Sequence, residues 1–211
     1  LDQFPAFERS IPLGLEKAAA LQIDVILQSH DFIGASSAEE QQALASQRKL
    51  REYLEAHPCD IIGYEGSQLD DVTIKALVDD AYAQAIQRRM VITRADVERG
   101  MNESLPYNGV LLYLKDHPAA DVVGTEDLAL VELHNTVLNL LGQGIGIGSP
   151  LEELNLRLSD LRSDLAIAKL SLKLTAKGKK HGVATIGYLH EQRLRSIFDR
   201  FGIRGTFINL G

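Results

Sequence analysis

Cysteine is nearly absent. Cys59 is the only one among 211 residues, which excludes a disulfide-built scaffold and a structural zinc site that needs several thiolates. Basic residues are the minority. Lys and Arg number 22 against 29 Asp and Glu, a net charge of −7, so nucleic acid is a poor partner for this chain. Long apolar runs are missing as well. A spanning helix needs roughly 20 consecutive apolar residues, and the longest uncharged run, between His134 and Glu152, is full of Gly, Asn, Gln and Ser. No transmembrane segment is expected. No charged n-region leads into an apolar stretch, so no signal peptide is visible, although a start at Leu1 rather than Met leaves a removed leader open. One cysteine suits a cytoplasmic location, and equally an exported protein without disulfides. What is present, 45% hydrophobic and 24% charged residues, is ordinary globular composition. The length suits one domain over 1–211, with 1–22 either part of it or an N-terminal extension.

Short β-branched runs alternate with longer helical patterns, the signature of βαβ units. Strands are expected at Ile23–Leu27, Asp60–Tyr64, Asp121–Thr125, Val183–Gly187 and Thr206–Leu210. Helices are expected at about 38–56, opened by a capping box at Ser37–Glu40, at 68–89, after Thr93, up to His117-Pro118, at 128–141, 150–176 and 192–201. The fold class that follows is α/β, a mostly parallel, doubly wound sheet of about five or more strands with a long helix around 150–176. The glycines at 142, 144, 146 and 148 invite a phosphate-loop reading. Such loops sit between a strand and a helix, and here a helical pattern precedes, so a helix–helix linker is the better reading. Leu151, Leu154, Leu158, Leu161, Leu165, Ala168 and Leu172 alternate spacings of three and four, a heptad seam. It serves either a helix laid across its own domain or a helix pair, within the chain or across a homodimer.

Two segments echo each other. His57-Pro58 leads to Asp60, Ile61, Ile62, Gly63, Tyr64 and Glu65; His117-Pro118 leads to Asp121, Val122, Val123, Gly124, Thr125 and Glu126. A second echo ends two apolar strands in histidine, Ile26 to His30 and Ile186 to His190. Four strands thus deliver one titratable side chain each just past their C-terminal ends, where ligands bind in open parallel sheets. Two imidazoles and two carboxylates could hold a divalent metal such as Mn, Co or Zn, with His30, Glu65 and His190 as ligands. Each residue alone also has a plain reading: His30 and His190 as loop or helix-start histidines, Glu65 and Glu126 as exposed strand-end carboxylates. His57 and His117 suit helix C-termini. His134, within a helix, and His181, among lysines, are expected to be solvated.

The arrangement resembles the superfamily of erythromycin esterases, ChaN-like proteins and the TraB/PrgY–TIKI group. Gly187-Tyr-Leu-His190 is similar to its second G-x-x-H motif, and Leu27-Gln-Ser-His30 to the first without its glycine. Gly63-Tyr-Glu65 and Gly124-Thr-Glu126 resemble its glutamate motifs, and Arg162 stands where its helix arginine is expected. The likeness in order and spacing covers roughly residues 23–205. It implies a doubly wound α/β domain and, in different members, metal-dependent peptide hydrolysis, metal-free ester hydrolysis or haem binding.

Three functional readings follow. The first is a hydrolase of an amide or ester bond in a small molecule or peptide. His30, His190 and a glutamate would bind a metal or activate water, Glu65 or Glu126 would be the base, and Arg162 would clamp a substrate carboxylate or stabilise developing negative charge. The second is a haem-like small-molecule binding module with Tyr64 and Tyr188 facing the ligand; both also read as strand core. The third is an interaction protein dimerising through the 151–172 seam.

Overall fold

The computed structural model of the chain describes residues 4–28, 37–145 and 150–210. Five strands form one all-parallel sheet in the order β3-β2-β4-β1-β5. They are β1 (Gln22–Gln28), β2 (Ile61–Tyr64), β3 (Val122–Gly124), β4 (His181–Gly187) and β5 (Phe207–Asn209). Each falls within two residues of its expected position. A parallel sheet is covered on both faces, so its strands are near-continuous apolar runs. Side chains still alternate. Ile23, Val25, Leu27, Ile61, Val123, Ala184 and Ile186 enter one core, and Ile26, Ile62, Tyr64, Val122 and Val183 the other.

The first face is covered by α1 (Phe4–Ala18), α6 (Leu128–Gly142), α7 (Pro150–Ala176) and α8 (Glu191–Phe201). The second is covered by α2 (Ser37–Ala56) and α5 (Gly109–Asp116), with Leu105 of a short 3-10 turn. The long helix lies across its own domain. Leu158, Leu165 and Ala168 of the seam are buried in the first core, with Leu154 and Leu161 packed against it. Helix α1 fills the seam from within the chain, through Ile11, Leu15 and Ala18. At the crossing a Cβ on Gly14 would stand 2.6 Å from the Ala168 Cα, so only glycine lets the helices approach this closely. Ile11, Leu15 and Ala18 thus make α1 part of this layer.

The helix expected over 68–89 is shorter than its pattern. α3 covers Ile74–Gln87, capped by Thr73, whose hydroxyl accepts from the Ala76 N–H at 3.0 Å. Residues 67–72 instead line the open edge of β3: Gly124 N donates to Leu69 O (2.7 Å) and Val72 N to Val122 O (2.8 Å). Satisfying an otherwise bare strand edge outcompetes the extra turns of helix. The capping box at Thr93 opens α4 (Arg94–Ser104) as expected. α6 ends at Gly142 and α7 begins at Pro150, so the glycine run joins two helices; residues 146–149 lie outside the described residues. Among the described residues no helix is long and apolar enough to cross a membrane.

Candidate functional site

β2 and β3 are neighbours in register, with Tyr64 opposite Gly124. Their common G-x-E ending therefore sets Glu65 and Glu126 side by side at the carboxyl edge. The close fit needs Gly124: a Cβ there would lie 2.3 Å from the Ser67 carbonyl oxygen, and that same carbonyl accepts from Glu126 N at 2.9 Å. The alternation that turns Glu65 toward α7 sends Tyr64 the other way. Helix α7 crosses above and lowers Arg162 between the two acids.

Arg162 holds the centre together. Its Nε donates to Glu126 Oε2 (3.2 Å) and its Nη2 to Glu126 Oε1 (2.5 Å), a bidentate pair. Nη2 also donates to Glu65 Oε1 (3.1 Å), and Nη1 to His134 Nδ1 (3.1 Å). Four of its five N–H groups are thus engaged among the described residues. Burial opposes the guanidinium charge, but the bond and attraction to Glu126, with help from Glu65, outweigh it and raise its pKa further. Burial pushes the Glu126 carboxyl above the usual carboxylate range; Arg162 pulls it back and Glu65 adds to the rise. Glu65 Oε2 accepts from the Gly187 N–H at 2.5 Å, which ties the tip of β2 to that of β4. Lys169, one face-repeat further along α7, donates to the Glu126 main-chain carbonyl (2.5 Å); burial lowers its pKa.

The two histidines hold opposite tautomers, each set by its partner. An arginine only donates, so His134 Nδ1 accepts, and its Nε2–H donates to Asn155 Oδ1 at 2.9 Å. His190 sits in a 3-10 turn at the end of β4. Its Nδ1 lies 2.8 Å from Ser163 Oγ, and that hydroxyl donates its single proton to the Ser159 carbonyl (3.0 Å). The imidazole must therefore supply the Nδ1–H. Nε2 keeps its lone pair and faces Glu65 Oε1 at 3.6 Å. Burial lowers the pKa of both rings; for His190 the Glu65 charge works the other way, and Arg162 adds to the fall for both. The row Ser163–His190–Glu65 is not a nucleophilic triad. The serine is 1% exposed and its proton is committed to a carbonyl.

Two spaces adjoin this centre. A void of about 10 Å³, lined by Glu65, Glu126, Arg162, Ser163 and His190 with Ala166 and Ile186, is the size of one water. Beyond the acids opens a cleft of about 360 Å³. Its walls are Leu77, Asp80 and Gln84 of α3 and Leu128 and Val131 of α6, with residues 65–68 at one side.

Glu65, Glu126, Arg162 and His190 thus come together. His30 lies outside the described residues. Tyr64, expected to face a ligand, is a core residue: it is 6% exposed and its hydroxyl accepts from Asn108 Nδ2 at 2.7 Å. Burial pushes that phenol up to about 12. Tyr188 is 47% exposed on the turn before His190 and is not among the residues lining the cleft. His134, expected to be solvated, is buried and bonded to Arg162. The signal was its place between Leu130 and Val137, at helical spacing on the buried side of α6. His181 also departs from expectation. It starts β4 and meets the buried Asp24, Nε2 to Oδ2 at 2.9 Å. His57 and His117 follow the ends of their helices, each against a tyrosine four residues back: His57 is stacked on Tyr53, and His117 is tilted against Tyr113.

Among the described residues no group of three or more His, Cys, Asp or Glu side chains is arranged to hold a metal. His190 and Glu65 offer two donors, and the Glu65 oxygen concerned already bears the Arg162 guanidinium. The described residues do not by themselves fit a metal. No family model, no curated protein and no solved structure matches the chain.

Proposed function

We propose that the chain is a hydrolase of an amide or ester bond in which His190 draws the proton from an attacking water. The observation that supports this is the Nε2 of His190, 3.6 Å from Glu65 Oε1, with both residues on the wall of a void the size of one water. A neutral imidazole is the form a general base needs near neutral pH, and burial favours that form here. As the ring takes the proton, Glu65 at 3.6 Å stabilises the imidazolium. Arg162 bonds to both carboxylates and holds them in place, and its remaining Nη1–H, unengaged among the described residues, can meet the oxygen on which negative charge develops. Of its two expected roles, stabilising developing charge suits it better than clamping a substrate carboxylate, because most of its donors are already engaged.

The test is a panel of nitrophenyl esters and aminoacyl nitroanilides assayed with the parent and with His190→Gln, which keeps a polar side chain of similar volume. Hydrolysis by the parent is expected to fall by 10²-fold or more in the variant, about the worth of a general base, at nearly unchanged melting temperature. Loss of activity with a collapsed melting temperature would make His190 structural instead. Elemental analysis of the same preparations belongs with the assay. One equivalent of Mn, Co or Zn in the parent, lost in His190→Gln, would replace the metal-free reading by a metal-assisted one.

A further inference from the structure

We infer that the cleft between α3 and α6 takes a ligand bearing an ammonium group on a short apolar arm, with Asp80 and Gln84 meeting the ammonium. The inference rests on the hydrolase reading only for the identity of the bond broken, and deepens it by naming a substrate class.

Asp79 and Asp80 are adjacent on α3 and differ in their surroundings. Asp79, on the outer side, is paired with both Lys75 and Arg94. Asp80 lines the cleft, and among the described residues no cation stands within ion-pair distance of it. Its Oδ2 accepts from the neutral amide of Gln84, Nε2 at 2.8 Å. With its Nε2 so engaged, Gln84 keeps its side-chain oxygen as an acceptor on the same wall of the cleft as Asp80. An ammonium has three donors and no acceptor, and this oxygen and the Asp80 carboxylate suit it.

The rest of the cleft does not neutralise Asp80. Glu65 and Glu126 also line it, and the one lining cation, Arg162, is bonded to both. At the rim Arg88 pairs with Glu132 (3.1 Å), which adds no net charge. Lys169 reaches Glu126 through its main-chain carbonyl and is not among the lining residues. Leu77 on one wall and Leu128 and Val131 on the other make an apolar waist between Asp80 and the acid–guanidinium centre. Low-dielectric walls around uncompensated carboxylates concentrate a negative potential, which draws cations and repels anionic ligands. The volume, about 360 Å³, is at the small end of ligand sites, enough for a residue-sized group rather than a long chain.

The experiment titrates the whole protein with L-leucinamide, which carries an ammonium, an apolar arm and an amide, and with N-acetyl-L-leucinamide, which lacks the charge. Calorimetry is expected to show leucinamide binding about tenfold more tightly, as one partly buried charge pair would give. Asp80→Asn, folded by circular dichroism, is expected to bring the two affinities together. Equal or tighter binding of the acetylated compound overturns the inference, as does a preference that survives Asp80→Asn, or no binding of either. Ammonia release is followed in the same samples. Asp80-dependent binding without chemistry leaves the inference standing and counts against the hydrolase reading. Hydrolysis of neutral esters with no preference for the ammonium does the reverse.

Discussion

A hydroxyl has one proton to give, and Ser163 gives its proton to the Ser159 carbonyl. Everything asked of His190 follows from that commitment, because the ring must then donate from Nδ1 and present Nε2 to Glu65. Ser163→Ala removes the constraint without touching the acids. Nitrogen spectra of histidine-labelled protein are expected to show one His190 tautomer in the parent and a mixture in the variant. Turnover is expected to fall while the Michaelis constant stays put, since the cleft walls are unchanged. A His190 signal that does not move would show that the serine does not set the tautomer. The residue scale is also where sequence reading was weakest. The paired glutamates were legible because their motif repeats. His134 was not, since a histidine on an apolar helix face looks the same whether it is exposed at the rim or bonded to an arginine from another helix. Of the two readings of Tyr64, strand core is the one that fits, because its neighbour Glu65 belongs to the site and consecutive strand residues face opposite ways.

At the scale of the element, the strands and the long helix were readable from periodicity, and α1 was not. Its apolar residues make sense only against the face of α7 that they cover. The seam on α7 announced that something packs on it; the partner's identity depended on a contact between residues about 150 positions apart, which no local pattern encodes. Gly14 makes that contact testable. A side chain there meets Ala168 at 2.6 Å, inside any tolerable distance, with backbone rather than a flexible tip on the other side. Gly14→Val is expected to cost about 1–3 kcal/mol, the usual penalty of overpacking a filled core, despite the better helix propensity of valine. The urea midpoint measures it. No change would mean that α1 does not hold its place on α7 in solution. The helix α3 shows the converse limit. Its pattern ran back to Gln68, but residues 67–72 are drawn to the bare edge of β3, a demand visible only once the strand order is known.

For the molecule as a whole, the −7 charge does not decide how stability responds to acid; a few buried groups do. Burial lowers the pKa of His134 and His190 in the folded protein, while in the unfolded chain both sit near the free imidazole value of about 6.5. As pH drops through that value the unfolded chain takes up protons that the folded chain refuses, so the unfolding free energy falls. The loss continues until the folded rings themselves titrate, at lower pH. Glu126 works in the opposite sense: its raised pKa disfavours the ionised form in the fold, and the cost is relieved as pH falls through that raised pKa, above the usual carboxylate range. Asp24 resembles the histidines but acts later. Burial would raise its pKa, yet bonds from His181 and Thr206 outweigh burial and lower it, so its contribution disappears only as pH falls through the carboxylate range. From about pH 7.5 downward the two imidazoles therefore set the fall in stability, and Glu126 offsets part of it. Urea midpoints from pH 7.5 to about 5 are expected to decline more steeply in the parent than in a His134→Gln/His190→Gln double variant. Parallel slopes would mean that the two rings take a proton as readily in the fold as in the unfolded chain, which their burial and the Arg162 donor at His134 Nδ1 argue against.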